Sequence, residues 1–111
     1  EELTDMFEWI LPIAEITVIE SVHNEPAIRQ NITLCHYSME VWNTSHHGSW
    51  HLFGHSHGSL PKCDTKLSFD IGCNVWEYKP LSYQQVKEVM ATKTYVPVDH
   101  HNKDTSKGTL I

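Results

Sequence analysis

Hydrophobic and polar positions alternate over Ala14 to Val22, where Ile16 and Val18 oppose Thr17 and Ile19. That two-residue period, rich in β-branched side chains, predicts a strand. Asn31-Ile-Thr-Leu-Cys35 reads as a second strand, separated from the first by the turn His23-Asn-Glu-Pro26. Trp50-His-Leu-Phe53 and Leu67-Ser-Phe-Asp-Ile71 read as a third and a fourth. Asn74-Val-Trp-Glu-Tyr78 reads as a fifth that Pro80 ends. Between them, Met39 to Ser49 has no clean period and predicts a loop with some helical turn.

Helices are expected near both ends. Thr4 caps a first one running to about Leu11, where Pro12 stops it and Trp9, Ile10 and Ile13 turn inward. Ser82-Tyr-Gln-Gln85 has capping-box spacing, and Val86, Val89 and Met90 supply the apolar stripe of the helix that follows. Beyond Pro97 the chain is polar and patternless, a flexible tail over 97–111. The expected class is α+β or layered α/β, as one domain over 1–96.

Composition narrows the class of function. At 111 residues, 40% apolar and 20% charged, the chain suits one small folded domain. Its longest apolar stretch, Trp9 to Ala14, is broken by Pro12 and is far short of the ~20 residues a membrane span needs. A net charge of −6 disfavours a nucleic-acid backbone unless a metal or a local basic site intervenes. Three cysteines without a CxxC pair, and no basic-apolar leader, point to a reduced cytoplasmic protein. The first residue is Glu, not Met, which suggests a chain that starts part-way through a longer product.

Nine histidines are the unusual count, and His46, His47, His51, His55 and His57 fall within twelve residues. Three of the nine sit where strands end. His36 follows Leu34-Cys35, and His55 and His57 follow Leu52-Phe53 in the context Gly54-His-Ser-His57-Gly58. In an extended segment residues i and i+2 point the same way, about 6.6 Å apart. That spacing suits two imidazoles approaching two adjacent metal ions. The glycines let the backbone turn sharply. Read from spacing alone, the three histidines are equally compatible with surface or hydrogen-bonded core positions. His51 shares strand parity with His55 and is either a supporting partner of a metal ligand or a buried hydrogen-bonded histidine. His46 and His47 lie in the intervening loop, facing a phosphate or simply solvent. Trp42 and Trp50 read as core or loop anchors, and Cys35 as core.

Leu34-Cys-His-Tyr-Ser-Met-Glu-Val-Trp42 and Ser45-His-His-Gly-Ser-Trp-His-Leu-Phe-Gly-His-Ser-His-Gly58 closely resemble the calcineurin-like metallophosphoesterase superfamily, in particular its small bacterial and phage members. The family carries five blocks in order: DxH, GDxxD, GNH[DE], a lone His after a strand, and GHxH. Leu34-Cys-His36 matches the fourth and Gly54-His-Ser-His57 the fifth; Phe69-Asp-Ile-Gly72 and Tyr78-Lys-Pro-Leu-Ser82 resemble the closing segments. The resemblance covers about residues 14–90. It implies the C-terminal half of a four-layer αββα sandwich that hydrolyses a phosphate ester at two divalent ions (Mn, Ni, Fe or Zn). In that scheme His36 and His55 are ligands of one ion and His57 of its neighbour.

No DxH, GDxxD or GNH[DE] occurs in the 111 residues; Asp64, Asp70 and Asp99 lie after GHxH in other contexts. The resemblance therefore assigns no catalytic residue to this chain and implies an N-terminal half, from the same gene or another chain, as its partner. Monoester, diester, nucleotide and nucleic-acid substrates all stay open, and an incomplete sheet favours self-association. The competing expectation is a non-catalytic module that binds a metal or a phosphate and serves as an interaction partner.

Overall fold

The structure, a computed structural model, describes Met6 and residues 8–95. Its centre is a four-stranded mixed sheet in the order β1-β2-β3-β4, with β1 Ile13–Glu20, β2 Ile28–Cys35, β3 Trp50–Phe53 and β4 Ser68–Asp70. β1 and β2 form an antiparallel hairpin whose register runs from Ile13↔Cys35 to Glu20↔Ile28. A side-chain bond between the register partners Thr17 and Asn31, 2.7 Å, marks its solvent face. β2, β3 and β4 run parallel. Parallel neighbours need long crossovers, which residues 36–49 and 54–67 provide.

Alternation along the strands assigns the two faces. On one face Ile32, Trp50 and Leu52 pack with Val86 and Met90 of α1 (Tyr83–Met90), the one α-helix among the described residues, joined by Ile16, Val18, Leu34 and Phe69. Tyr83 stacks on Trp50 with ring centroids 5.6 Å apart. Burial among these groups raises the pKa of the Tyr83 phenol above its usual value. At the edge of this layer Lys87 of α1 donates to Glu20 at the end of β1, 2.8 Å, and the carboxylate raises the ammonium pKa.

The other face is covered by the crossover between β2 and β3. Trp42 lies over His51 at 5.2 Å and donates its indole N–H to Ser49 O at 3.1 Å. A short 3-10 turn, Ser45–His47, continues this cover between Thr44 and Gly48, both in left-handed conformation. β3 is thus buried on both faces, which is why its four residues read as an unbroken apolar and aromatic run. The class is α+β.

Three expectations fail on the described residues. Asn74–Tyr78 is a series of turns, not a fifth strand: Val75 N–H donates to Gly72 O, Tyr78 N–H to Cys73 O, and Glu77 and Tyr78 have positive φ. Residues 8–11 are irregular rather than helical, and most of the rest of that expected helix lies outside the described residues. Trp9, Ile10 and Ile13 do not turn inward; they are 54%, 56% and 48% exposed. The expected tail over 97–111 also lies outside the described residues. No described helix is long and apolar enough to cross a membrane.

Candidate metal centre

The parallel strands β2, β3 and β4 deliver their C-terminal ends to one edge of the sheet, the place where open α/β sheets hold ligands. His36 follows β2, Gly54-His55 follows β3, and Asp70 closes β4. Main-chain bonds lock these ends together. Gly54 N–H donates to His36 O at 2.9 Å, and Ile71 N–H to Phe53 O at 2.8 Å. A Cβ at Gly54 would stand 3.5 Å from Nδ1 of His36, an ordinary van der Waals contact, so the imidazole lies directly against the start of the two-histidine loop.

Within that frame His36 Nε2 and His55 Nδ1 lie 3.3 Å apart. Their rings meet edge-on with centroids at 5.1 Å, and Tyr37 closes the group at 4.7 Å from His55. With metal–nitrogen bonds of about 2.0–2.1 Å, two nitrogens on one tetrahedral ion stand about 3.3–3.4 Å apart. The same 3.3 Å separation is also that of an N–H···N hydrogen bond between two neutral imidazoles, and it is compatible with either arrangement. Among the described residues no group of three or more His, Cys, Asp or Glu side chains comes together to hold one.

His57 has a different partner. Its Nδ1 lies 2.9 Å from Nδ2 of Asn74, in the turn series after β4. The extended geometry expected for His55-Ser-His57 does not occur. His55 and His57 both take left-handed φ, 56° and 52°, followed by Gly58 at 80°. Non-glycine residues in that region cost of order 1 kcal/mol or more and persist where surrounding bonds over-determine them. Asp70 supplies such bonds. Its Oδ2 accepts from Gly58 N–H at 3.0 Å and its Oδ1 from Gly72 N–H at 2.8 Å. Its carbonyl accepts the indole N–H of Trp76 at 2.7 Å.

His51 lies on the inner face of the sheet, fully buried at 0% exposure. Nδ1 donates to Thr33 O at 3.1 Å, and Nε2 accepts Met39 N–H at 3.1 Å. With both nitrogens engaged by backbone, the ring is neutral and its tautomer is set; burial pushes its pKa below the ordinary histidine value. Of the two expectations for His51, the buried hydrogen-bonded histidine is the one realised. The strand parity linking it to His55 ends at Phe53. His46 is half-buried and His47 exposed, their rings 4.0 Å apart.

Asp70 and Asn74 carry geometry that the sequence reading passed over. The signal was available: an Asp followed two residues later by Gly is the pattern in which a carboxylate binds the backbone just ahead of it. The three cysteines are free thiols. No family model, curated protein or solved structure matches this chain.

Proposed function

We propose that this chain is the C-terminal, metal-ligating half of a calcineurin-like phosphoesterase domain. The observation that carries the reading is the His36–His55 pair. Two imidazole nitrogens sit at ligand separation, at the C-terminal ends of adjacent parallel strands, within the two sequence blocks that resemble the family.

In this reading His36 Nε2 and His55 Nδ1 hold one ion and His57 serves a second, with the other donors coming from an N-terminal half. That half would complete the four-layer αββα sandwich and bring the bridging carboxylate. The bound divalent ions (Mn, Ni, Fe or Zn) would supply Lewis-acid polarisation of a phosphate ester. This chain's own residues orient the donors. Main-chain bonds from Gly54 and Ile71 fix the strand ends, and the Tyr37 ring flanks His55. His46 and His47 lie just before β3, where Gly48 O accepts from Gln30 near the start of β2, so they stand at the opposite end of the strands from His36 and His55 and take no part in this reading. Asp70, with both oxygens on backbone N–H groups, acts as a brace rather than as a ligand.

The test is to express the chain with the reading frame immediately upstream and assay hydrolysis of an aryl phosphate diester with added Mn or Ni. Support would be DxH, GDxxD and GNH[DE] blocks upstream together with metal-dependent turnover that His36→Ala abolishes. An upstream frame without those blocks, or turnover indifferent to His36, rejects the reading in favour of a non-catalytic module.

A further inference from the structure

The segment after β4 makes contact with the two-histidine loop at adjoining points. Asp70 grips the loop backbone at Gly58 N–H, 3.0 Å, and Asn74 meets the His57 ring at Nδ1, 2.9 Å. Gly72 lies between them, and a Cβ there would stand 2.9 Å from Asp70 Oδ1 and 3.3 Å from Asn74 Oδ1. A side chain at this position would push against both groups that hold the loop. His57 itself is held at a left-handed φ of 52°. Backbone and ring are therefore constrained from one turn.

The chemistry of the Asn74 amide adds something a brace does not. A neutral imidazole has one N–H and one lone pair, and the partner of one nitrogen decides the state of the other. With Asn74 Nδ2 facing Nδ1, the amide donates and the ring proton sits on Nε2. Turned over, the amide accepts through Oδ1, the proton moves to Nδ1, and Nε2 presents a lone pair. A single amide supports both states.

We propose that Asn74 is the positioning residue for His57, its amide setting which ring nitrogen carries the proton and so which nitrogen is open to a cation. The cation half of this statement rests on the phosphoesterase reading; the tautomer half does not. An aspartate at the same place can only accept, so it demands a proton on Nδ1 and leaves Nε2 bare. A leucine makes neither bond.

Long-range 1H–15N spectra of the whole 111-residue chain at about pH 8, where histidine is neutral, read the tautomer directly. No metal is needed. In the native protein His57 is expected as the Nε2–H form. Asn74→Asp is expected to reverse it to the Nδ1–H form, and Asn74→Leu to move its ring shifts toward those of exposed His23. His51, bonded elsewhere, serves as the internal control and stays put. Unchanged His57 shifts in both variants would overturn the proposal. Because the readout involves neither metal nor turnover, that failure would leave the phosphoesterase reading standing, while lost metal-dependent turnover would leave the Asn74 assignment standing.

Discussion

His51 and Thr33 are register partners on adjacent parallel strands, and the imidazole of the first donates to the carbonyl of the second at 3.1 Å. The same ring accepts Met39 N–H from the crossover that roofs it. One neutral side chain thereby satisfies two backbone groups that burial has removed from water, and it joins the sheet to its covering loop.

Replacing His51 by Ala should destabilise the chain by at least about 3 kcal/mol. Each buried polar group left unpaired costs about 1–3 kcal/mol, and a ring-sized void adds to it. His47→Ala, at an exposed position, should stay within about 0.5 kcal/mol of the parent. Urea unfolding followed by tryptophan fluorescence compares the two directly. Equal midpoints would remove His51 from its structural role.

The same ring makes stability depend on pH. Its folded pKa is lowered by burial, so the unfolded chain binds a proton near pH 6.5 that the folded chain resists. This contribution is fully present above about pH 6.5 and is lost as pH falls through the depressed folded pKa. Unfolding free energy should rise from pH 5 to pH 7.5, and His51→Phe should flatten that rise. An unchanged slope in the variant would assign the pH dependence to other groups.

What was legible beforehand follows the range of the interactions involved. β3 and the capping box of α1 depend on neighbours in sequence, and both stand where the pattern puts them. The 74–78 segment also has strand-like composition. There, however, tertiary bonds prevail: Asp70 binds Gly72 N–H and Trp76 at once, so the chain turns immediately after a three-residue β4. Trp9 and Ile10 look like core in sequence and remain exposed because no described element lies over them. In the candidate site, His36 and His55 meet because a parallel strand pair carries them to one end. The Asn74–His57 contact spans two turns that no spacing rule connects.

If the proposed N-terminal half completes a metal-dependent phosphoesterase, His36→Ala and His55→Ala should each reduce its metal content and lower its turnover by more than 100-fold. The reference is the roughly 10–100-fold loss seen for groups that act on a metal through its ligands. The folded state should survive, because Gly54 N–H and His36 O bond through main chain whatever the side chains are. Metal analysis paired with circular dichroism separates the two effects. Full metal content in His36→Ala would dismiss the pair as ligands.

Ser82→Ala should cost about 1 kcal/mol. Ser82 Oγ accepts Gln85 N–H at 3.1 Å and Gln85 Oε1 accepts Ser82 N–H at 2.8 Å; the substitution removes the first bond and leaves the second, which uses backbone N–H. The helix so capped carries Val86 and Met90 into the core, which makes the loss visible in the global unfolding midpoint rather than as local fraying. An unshifted midpoint would mean that the first turn of α1 is held by packing alone.

The bond from Gly54 N–H to His36 O has a consequence for how such a site changes over evolutionary time. The two strand ends that carry the imidazoles are joined by atoms every residue possesses, so the frame is indifferent to what projects from positions 36 and 55. Substitution there alters the chemistry on offer without dismantling its support. Carboxylate, thiolate or amide groups placed at those two positions would inherit the same backbone separation and the same sheet edge. The scaffold can therefore change what it presents at this edge through two side chains, with the main-chain frame left in place.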